Sequence, residues 1–429
     1  MRIQKEYYLV KGIIIMAMSM AASHATGREL NDAIFGASAA AKAAAAKVGA
    51  DKVINATIGA IMDDEERLAC IPTMEKVYRA LPMSDIIAYA PIDGLPDYLN
   101  AVIDLTFAAQ KPEGYTAAVA TAGGTGAVHH AIANYSEIGD QVLTSDWFWG
   151  PYNVLCQDQG RQLATYSLFD EAQQFNRQAF AAKVEELLKK QSSLLIILNT
   201  PAHNPTGYSF SEADWAEVLE ICKNEIKKGD KKISLLVDIA YIDYAGEKNE
   251  ARRFMKQFSH LPANLFVMFA FSMSKGYTMY GQRTGAIVGF SSDKAVIEEF
   301  RTVSAFSGRA TWSNINRGAM TALAVIQKDA ALKAAFEAER EALYQMIRQR
   351  GAIFMEEAKA CALNALPYKA GFFLSIPAAN PAAVCERLHE DFIFPVPLKK
   401  GVRVAVCAVP AKKMRGMAAK IKRAWDAVQ

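Results

Sequence analysis

The amino-acid sequence predicts an α/β fold: a three-layer α/β/α large domain with a mostly parallel sheet, and a smaller α+β domain. Between residues 115 and 290, short apolar runs alternate with polar or glycine-rich turns and helical stretches, the pattern of a parallel sheet wrapped by helices. After about residue 330, helical segments such as 331–349 alternate with short apolar pieces around Phe372 and Val404. The length of 429 residues allows roughly two domains.

The strands and one early helix are predicted from local composition. The informative strands are residues 117–120, 194–198, 233–237 and 265–271, with 286–290 as a fifth. Residues 36–50 are rich in alanine, the strongest helix former, and predict a helix that closes near Gly49. Low complexity therefore indicates helix here, and not disorder.

Each of the first four strand runs stops at a polar cluster. The clusters are residues 123–126, 199–207, 238–241 and 272–275. In open α/β sheets, ligands bind outside the carboxyl ends of the strands. Four clusters at that edge predict one composite site.

Charge and cysteine usage exclude several classes of function. The 48 basic and 45 acidic residues are well mixed and give a net charge of +3, without the basic stripe that nucleic-acid binding requires. The six cysteines show neither zinc-ligand spacing nor the dense framework of small secreted domains. We therefore expect no nucleic acid, no metal, and reduced thiols in a cytoplasmic protein.

The N-terminus carries the outline of a short signal peptide, because Lys11 precedes the apolar run 13–22. The alternative is a later start at Met16, Met18 or Met20, which would begin a cytoplasmic chain. About ten apolar residues are too few to span a bilayer as a helix. We favour the cytoplasmic reading and expect no membrane association.

Lys275 and Asp238 are the first candidates for chemistry. A lysine is usually a solvated surface charge, but Lys275 ends a buried-strand pattern, and an amine removed from water has a lowered pKa and can form an imine with an aldehyde. Asp238 closes an apolar strand, where an unpaired carboxylate is costly. A protonated pyridine nitrogen would be a suitable partner, and a helix N-cap is the alternative.

A phosphate site is indicated by two further features. The glycine-rich turn 123–126 begins a helix, and such a turn offers backbone amides and a hydroxyl to a phosphate. It matches neither the dinucleotide fingerprint nor the P-loop, which leaves the phosphate of some other cofactor. Arg283, eight residues after Lys275, would place a fixed cation nearby, although alone it reads as a surface arginine.

These residues resemble the fold-type-I aminotransferases, and within them the aspartate and aromatic aminotransferase group. The family's lysine signature is matched by residues 272–275 with 283–285, its asparagine-proline loop by 203–207, and its aspartate-tyrosine strand end by 238–241. The likeness extends from residues 55–60, through 89–95, to 403–406, so it covers almost the whole chain. The combination is highly specific, although any one element is not.

The resemblance implies pyridoxal 5'-phosphate, held by Lys275 as a Schiff base, with Lys275 also moving the substrate proton. Asp238 would pair with the pyridinium nitrogen, and Asn204 and Tyr241 would hydrogen-bond the ring oxygen. Trp149 would stack on the ring, with Trp147 as the alternative register. The groups that would bind the phosphate are Gly124, Thr125, Ser272 and Arg283, joined by Tyr89 from a neighbouring subunit.

The resemblance also implies a substrate site formed by Gly59, Asn204, Trp149, Arg403 and Arg309. Arg403 would clamp the α-carboxylate, although without the family it reads as an arginine in a β-like run. Arg309 would reach the distal carboxylate across a homodimer interface, which favours aspartate or glutamate. Its neighbour Trp312, and Ile315 where the group has a proline, leave aromatic substrates open.

The resulting prediction is an aminotransferase that exchanges an amino group between an L-amino acid and 2-oxoglutarate by a ping-pong mechanism. A β-eliminating carbon-sulfur lyase on the same fold is the alternative enzyme. A ligand-sensing regulator is disfavoured, because only some 30 residues precede the family-like region. The predicted division is an extension at 1–24, the N-terminal part of the small domain at 25–66, the cofactor-binding large domain at 67–330, and the C-terminal small domain at 331–429.

Overall fold

The computed structural model describes residues 7–10, 13–16, 20–29 and 33–428. Of the signal-peptide-like segment, residues 11–12 and 17–19 lie outside the described residues. Ile13–Met16 form a short strand that pairs with the preceding strand Tyr7–Val10. Within the described part of the chain, no helix is long and apolar enough to cross a membrane.

Within the described residues, the strands form one large sheet and three small ones. In chain order they are β1 (Tyr7–Val10), β2 (Ile13–Met16), β3 (Ile54–Asn55), β4 (Tyr115–Ala122), β5 (Gln141–Ser145), β6 (Gln162–Tyr166), β7 (Ser193–Asn199), β8 (Lys232–Asp238), β9 (Leu265–Ser272), β10 (Thr284–Ser291), β11 (Phe373–Pro377), β12 (Ile393–Phe394), β13 (Val396–Leu398) and β14 (Gly401–Ala405).

The α-helices pack around these sheets. They are α1 (Ala33–Val48), α2 (Pro72–Ala80), α3 (Met83–Ile87), α4 (Pro96–Phe107), α5 (Gly123–Tyr135), α6 (Pro151–Asp158), α7 (Arg177–Leu188), α8 (Glu212–Ile226), α9 (Met273–Gly276), α10 (Lys294–Thr311), α11 (Arg317–Lys328), α12 (Ala330–Ala360), α13 (Pro381–Glu390), α14 (Ala411–Met414) and α15 (Met417–Asp426). Short 3-10 helices lie at Ala50–Lys52, Ala108–Gln110, Ile242–Tyr244, Glu250–Phe258, Tyr280–Gln282 and Val406–Ala408.

The central sheet has the strand order β4-β10-β9-β8-β7-β5-β6, and only β10 runs antiparallel to its neighbours. Every residue of β9 and β10 is buried, because helices cover both faces. One apolar layer includes Tyr98, Phe180 and Trp215, and the opposite layer includes Val128 and Phe300. The predicted three-layer α/β/α fold is confirmed.

All five predicted strands are present, each one or a few residues longer than its apolar run at one or both ends. Strands β5 and β6 were not predicted, because their sequences, QVLTS and QLATY, are shorter and more polar than the central strands. Strand β6 forms one edge of the sheet and is only partly buried, whereas β5 lies between β7 and β6 and is mostly buried.

The antiparallel direction of β10 brings one more residue to the sheet edge that carries the four polar clusters. Strands β4, β7, β8 and β9 all end at one edge of the sheet, and the antiparallel β10 begins there, with Gly285 opposite Ser272. Arg283, the residue before β10, is thereby carried to the same edge as the four polar clusters. The antiparallel strand thus adds a fifth contribution to the site.

The smaller unit is built around the antiparallel sheet β11-β14-β13. Its core joins Phe372, Val404 and Ile421 to Ala56 and Ile61 from the early part of the chain. Strand β3 pairs with β12, which links that early segment to the C-terminal region. This packing agrees with a small domain completed by both ends of the chain, although the boundaries at 24, 66 and 330 stay predictions.

Two predicted helices are present with altered limits. The alanine-rich helix α1 begins a few residues earlier than expected and is followed by Gly49, whose φ of 96° is readily adopted only by glycine. Helix α12 runs on to Ala360, beyond the expected end at 349. The extension of α12 passes through Gly351, and the residues that follow it are mostly good helix formers.

Candidate active site

A cavity of about 180 Å³ opens at the edge where β4, β7, β8 and β9 end. All four polar clusters contribute to it, as does the segment before β10. Its lining residues are Gly124, Thr125, Trp149, Asn199, Asn204, Asp238, Ala240, Tyr241, Ser272, Ser274, Lys275, Tyr280 and Arg283. The structure thus brings together the predicted cofactor-binding residues, with the exception of Tyr89.

Lys275 lies on α9, the single helical turn that follows β9. Its Nζ donates a hydrogen bond of 2.5 Å to the backbone oxygen of Gly59, and lies 4.9 Å from the centre of the Tyr280 ring. Burial, followed by the neighbouring cations Arg403 and Arg283, lowers the pKa of the amine to about 8. A lowered pKa increases the fraction of neutral, nucleophilic amine near neutral pH.

Asp238 ends β8 and is buried. One carboxylate oxygen accepts a hydrogen bond of 2.5 Å from the hydroxyl of Tyr152, and the other accepts from the backbone amide of Ala240 at 3.1 Å. Burial raises the pKa of this carboxyl group, while the two hydrogen bonds oppose that rise. The Ala240 contact resembles a local cap, whereas the Tyr152 contact was not anticipated.

A chain of hydrogen bonds connects the strand ends around the cavity. Asn199 donates to the backbone oxygen of Asp238 at 2.8 Å and accepts from the backbone amide of Asn204 at 2.6 Å. The Asn204 side-chain amide in turn donates to the Tyr241 hydroxyl at 3.2 Å. Asn199 therefore ties two of the predicted site residues to β7, a role that its position within the 199–207 cluster did not reveal.

The polar end of the cavity suits an oxyanion such as phosphate. Arg283 donates to the hydroxyls of Ser274, at 3.2 Å, and Thr125, at 3.4 Å. Ser272 accepts from the backbone amide of Ser274 at 3.2 Å, at the start of α9. A cation, three hydroxyls and the amino end of α5 converge here.

Backbone shape keeps this end open. Gly123, at the start of α5, has a φ of 67°, and a Cβ there would lie 2.8 Å from the Arg283 guanidinium. A Cβ at Gly124 would lie 3.3 Å from the Cβ of Ser272. The glycine pair therefore provides the close approach that a phosphate cradle needs, which supports the cofactor reading of the glycine-rich turn.

The two tryptophan registers are distinguished by position. Trp149 lines the cavity and meets Tyr152 edge to face, with ring centres 5.5 Å apart. Trp147 is 5% exposed and packs in the core beneath the sheet edge, where a Cβ on Gly401 would touch it. Of the two, only Trp149 faces the cavity.

Arg403 and Gly59 do not line the cavity, but each is hydrogen-bonded to a residue that does, namely Asn204 and Lys275. Arg403, on β14, is buried, donates to the backbone oxygen of Thr57 at 2.9 Å, and lies 4.2 Å from the centre of the Phe373 ring. It also donates to the Asn204 side-chain oxygen at 3.4 Å. This guanidinium is thus held in place next to Asn204, which lines the cavity.

Two predicted residues lie away from the cavity of their own chain. Tyr89 is 88% exposed, and Arg309 is exposed near the end of α10, where it donates to the Ser313 hydroxyl. Neither lines the cavity. Sequence reasoning also omitted residues that line or support the cavity, among them Tyr152, Asn199, Ser274 and Tyr280. Asn199 and Ser274 lie inside the polar clusters 199–207 and 272–275.

Comparison with known proteins decides the family. Residues 51–421 match the family model described as aminotransferase class I and II, which is most of the chain. The chain belongs to this family. It is an enzyme, a pyridoxal-phosphate-dependent transaminase.

Relatives of this aminotransferase are named for both aromatic and aspartate substrates. The tyrosine aminotransferase of Klebsiella pneumoniae is 26% identical, over 80% of this chain and 86% of that protein. The cytoplasmic aspartate aminotransferase of Dictyostelium discoideum is 26% identical, over 61% of this chain and 58% of that protein. These names leave the substrate of this chain unresolved.

Solved structures match the whole fold of the aminotransferase. An aminotransferase from Anaerococcus prevotii is 38% identical, with a TM-score of 0.93 over 96% of this chain and 100% of that chain. An aromatic-amino-acid aminotransferase from Burkholderia pseudomallei, covalently bound to pyridoxal phosphate, is 22% identical, with a TM-score of 0.77 over 95% of this chain and 100% of that chain. The predicted aspartate-aminotransferase-like fold is therefore confirmed.

The residues of the cavity fit pyridoxal phosphate. The cofactor needs an amine for its aldehyde, an acid for its ring nitrogen and an anion site for its phosphate. Lys275, Asp238 and Arg283 supply these groups around one cavity. Because Gly123 and Gly124 carry no side chain, their backbone can lie close to the Arg283 guanidinium and to Ser272 at the anion end.

Proposed function

We propose that this aminotransferase exchanges the amino group between an L-amino acid, with aspartate favoured, and 2-oxoglutarate by a ping-pong mechanism. Lys275 is the residue that holds the cofactor as a Schiff base. The observation that carries the proposal is a single cavity lined by the Lys275 amine, the Asp238 carboxylate and the Arg283 guanidinium. Bound pyridoxal phosphate supplies an aldehyde that accepts amino groups and a ring that accepts electrons when the substrate α-C–H bond breaks.

Lys275 is suited to move the proton. Its pKa of about 8 leaves the amine ready both to accept and to return a proton near neutral pH. The backbone oxygen of Gly59 holds Nζ at one position, 2.5 Å away. The ring of Tyr280 limits access of water from one side.

Asp238, Asn204 and Tyr241 hold the ring by its polar atoms in this proposal. Asp238 stabilises a protonated ring nitrogen, because an ionised buried carboxylate favours a cation beside it. The hydrogen bond between the Asn204 amide and the Tyr241 hydroxyl presents a pair of donors to the ring oxygen. Trp149 provides an aromatic face from the segment that precedes α6.

Arg403 binds the substrate α-carboxylate. Its guanidinium is fixed by Thr57, Asn204 and the Phe373 ring, so little side-chain entropy is lost when a carboxylate binds. The planar fork suits bidentate recognition of a carboxylate.

The substrate's distal group is assigned to Arg309 of a second subunit, and Tyr89 of that subunit is assigned to the phosphate. Both side chains are exposed on their own chain, which is what a contribution across an interface requires. We therefore propose a homodimer with the site at the interface, and a cytoplasmic location. Arginine at the distal position favours dicarboxylic substrates.

An aromatic-amino-acid aminotransferase is the second candidate. Trp312 lies three residues after Arg309 and stacks on His130, with ring centres 4.4 Å apart. Relatives named for tyrosine and aromatic amino acids support this reading. A carbon-sulfur lyase would use the same Lys275 and Asp238, and no observation favours it.

The test is an absorbance titration of the purified holoenzyme with aspartate, glutamate, phenylalanine and alanine. The amino acid that converts the cofactor from its aldehyde to its amine form at the lowest concentration identifies the substrate class. Product formation that depends on 2-oxoglutarate supports transamination. Repeated turnover of an amino acid with a β-sulfur leaving group to pyruvate and ammonia, without 2-oxoglutarate, would instead identify the lyase.

A further inference from the structure

Tyr152 contacts two of the side chains assigned to the cofactor ring but does not itself line the cavity. Its hydroxyl donates to the Asp238 carboxylate at 2.5 Å, and its ring meets Trp149 edge to face at 5.5 Å and 90°. Tyr152 is 1% exposed, so both contacts are shielded from water. The buried side chain of Tyr152 therefore contacts both the Asp238 carboxylate and the Trp149 ring.

The position of Tyr152 in the fold is rigid. It is the second residue of α6, directly after Pro151, and lies within the apolar layer that covers one face of the central sheet. Proline at the first helical position fixes the start of the helix. The tyrosine ring therefore has little freedom to follow changes in its partners.

We propose that Tyr152 is a positioning residue for the reaction, which fixes the Asp238 carboxylate and the Trp149 ring so that the cofactor ring is held at its nitrogen and across its face. The inference rests on the roles proposed above for Asp238 and Trp149. The Tyr152 hydroxyl thus has a role although Tyr152 does not line the cavity.

The chemistry of a phenol explains why the contact matters. The Tyr152 hydroxyl donates its hydrogen bond to Oδ2 of Asp238, while the Ala240 amide occupies Oδ1. Burial, and then the neighbouring carboxylate, raise the pKa of Tyr152 well above its usual range, so the phenol stays a neutral donor at working pH. A carboxylate that accepts such a bond stays ionised and leaves the ring proton on the cofactor nitrogen.

The test compares Tyr152→Phe with Tyr208→Phe. The first variant removes only the hydroxyl and keeps the ring that packs on Trp149. Tyr208→Phe is the matched control, because its hydroxyl also donates to a carboxylate, that of Asp214 at 3.0 Å, away from the site. The measurements are the dissociation constant of pyridoxal phosphate from the apoprotein, the pH midpoint of the visible absorbance of the holoenzyme, kcat and KM, and the melting temperature.

We expect Tyr152→Phe to weaken pyridoxal phosphate binding about tenfold, as when one partner of a charged hydrogen bond is removed. Its absorbance midpoint should move to higher pH. A pyridine ring without its nitrogen proton withdraws less electron density from the Schiff-base nitrogen of Lys275, and that nitrogen then holds its own proton to higher pH. We expect kcat to fall with little change in KM. Tyr208→Phe should leave the dissociation constant, the midpoint and kcat at the wild-type values.

The proposal is overturned if Tyr152→Phe lowers only the melting temperature and otherwise behaves like Tyr208→Phe. A third variant, Asp238→Ala, separates this failure from failure of the proposed function. If Asp238→Ala loses cofactor affinity and turnover while Tyr152→Phe does not, only the role of Tyr152 is wrong. If Asp238→Ala also keeps wild-type affinity and turnover, the assignment of the acid fails, and the inference about Tyr152 fails with it.

Discussion

The cofactor end and the substrate end of the proposed site are built in different ways. The cofactor end is formed by the ends of neighbouring strands in one chain, and Asn199, Asn204 and Asp238 are tied together there by hydrogen bonds. The substrate end combines Arg403 from the smaller sheet with Arg309, which is exposed and outside the cavity. In the proposed site, one chain supplies every cofactor-binding residue except Tyr89, whereas substrate selection would depend on Arg309 from a second subunit.

This difference has a consequence for variants. Changes at the cofactor end should affect every substrate alike, because all substrates share the cofactor. Changes at Arg309 should affect only substrates with a second carboxylate. The predictions below use that contrast, beginning with the largest effect.

Lys275→Ala should abolish covalent cofactor attachment and reduce turnover by about a thousandfold or more, as expected when a general acid/base is removed. The loss should be equal for aspartate and phenylalanine. Borohydride reduction followed by mass spectrometry measures attachment, and a coupled assay measures turnover. Lys369→Ala, which changes an exposed lysine beside Tyr208, should retain both properties. Attachment that persists in Lys275→Ala at another lysine would show that the cofactor end is misassigned.

Arg403→Ala should raise KM about a hundredfold for every amino acid tested, because a charged, bidentate contact with the α-carboxylate is lost. The dissociation constant of pyridoxal phosphate should change little. Arg403→Lys keeps the charge without the planar fork and should recover only part of the loss. A large loss of cofactor affinity in both variants would show that Arg403 binds the cofactor. Its assignment to the substrate end would then be wrong.

Arg309→Ala should lower kcat/KM for aspartate roughly 30-fold and leave phenylalanine almost unchanged, because only the first substrate has a distal carboxylate. Lys294→Ala, at the other end of the same helix, is the control and should affect neither substrate. Equal losses for both substrates would contradict the assignment of the distal pocket.

Mixed subunits test whether Arg309 acts across an interface. Lys275→Ala and Arg309→Ala chains are each impaired with aspartate when pure. After unfolding and refolding together, a hybrid dimer would contain one site with an intact Lys275 from one chain and an intact Arg309 from the other. Recovery of aspartate turnover supports the dimeric site. A mixture no more active than its separate components would argue that each chain supplies its own arginine.

The sequence predicted the residues that line the cofactor end better than the residues that hold them in place. Lys275 and Asp238 end apolar runs, so local pattern placed them at one sheet edge, whereas Arg283 was assigned from its spacing after Lys275 and reaches that edge because β10 is antiparallel. The contact of Tyr152 with Asp238 could not be predicted, because it joins residues 86 positions apart and depends on how α6 packs against β8. A motif gives the identity of a residue, whereas a partner of this kind follows only from tertiary packing.

The short edge strands show the same limit in the fold. The sequences of β7 and β9 are almost wholly apolar, because helices cover both faces of those strands. Strand β6 is only partly buried, and its sequence QLATY contains neither a long apolar run nor a regular alternation. Burial on both faces is what makes a strand visible in a single sequence.

The capture of cofactor by the apoprotein should depend on pH in a way that reports the burial of Lys275. Only the neutral amine attacks an aldehyde, and burial, followed by Arg403 and Arg283, lowers the pKa of this amine to about 8. The rate should therefore rise roughly tenfold between pH 7 and pH 9 and then level off, whereas an exposed lysine would continue to gain reactivity beyond pH 10. Stopped-flow absorbance after mixing apoprotein with pyridoxal phosphate measures this rate.

The same group should make the stability of the apoprotein depend on pH. The folded-state pKa of Lys275, about 8, lies below its ordinary value of 10.5, so the unfolded chain binds more protons between these two limits. The free energy of unfolding should then increase as pH rises through this window, and this increment should be missing in Lys275→Ala. Urea unfolding of both apoproteins across the window measures the difference. Identical pH profiles would mean that the amine is solvated in the folded protein, and the nucleophile at the cofactor end would then lack the activation that burial provides.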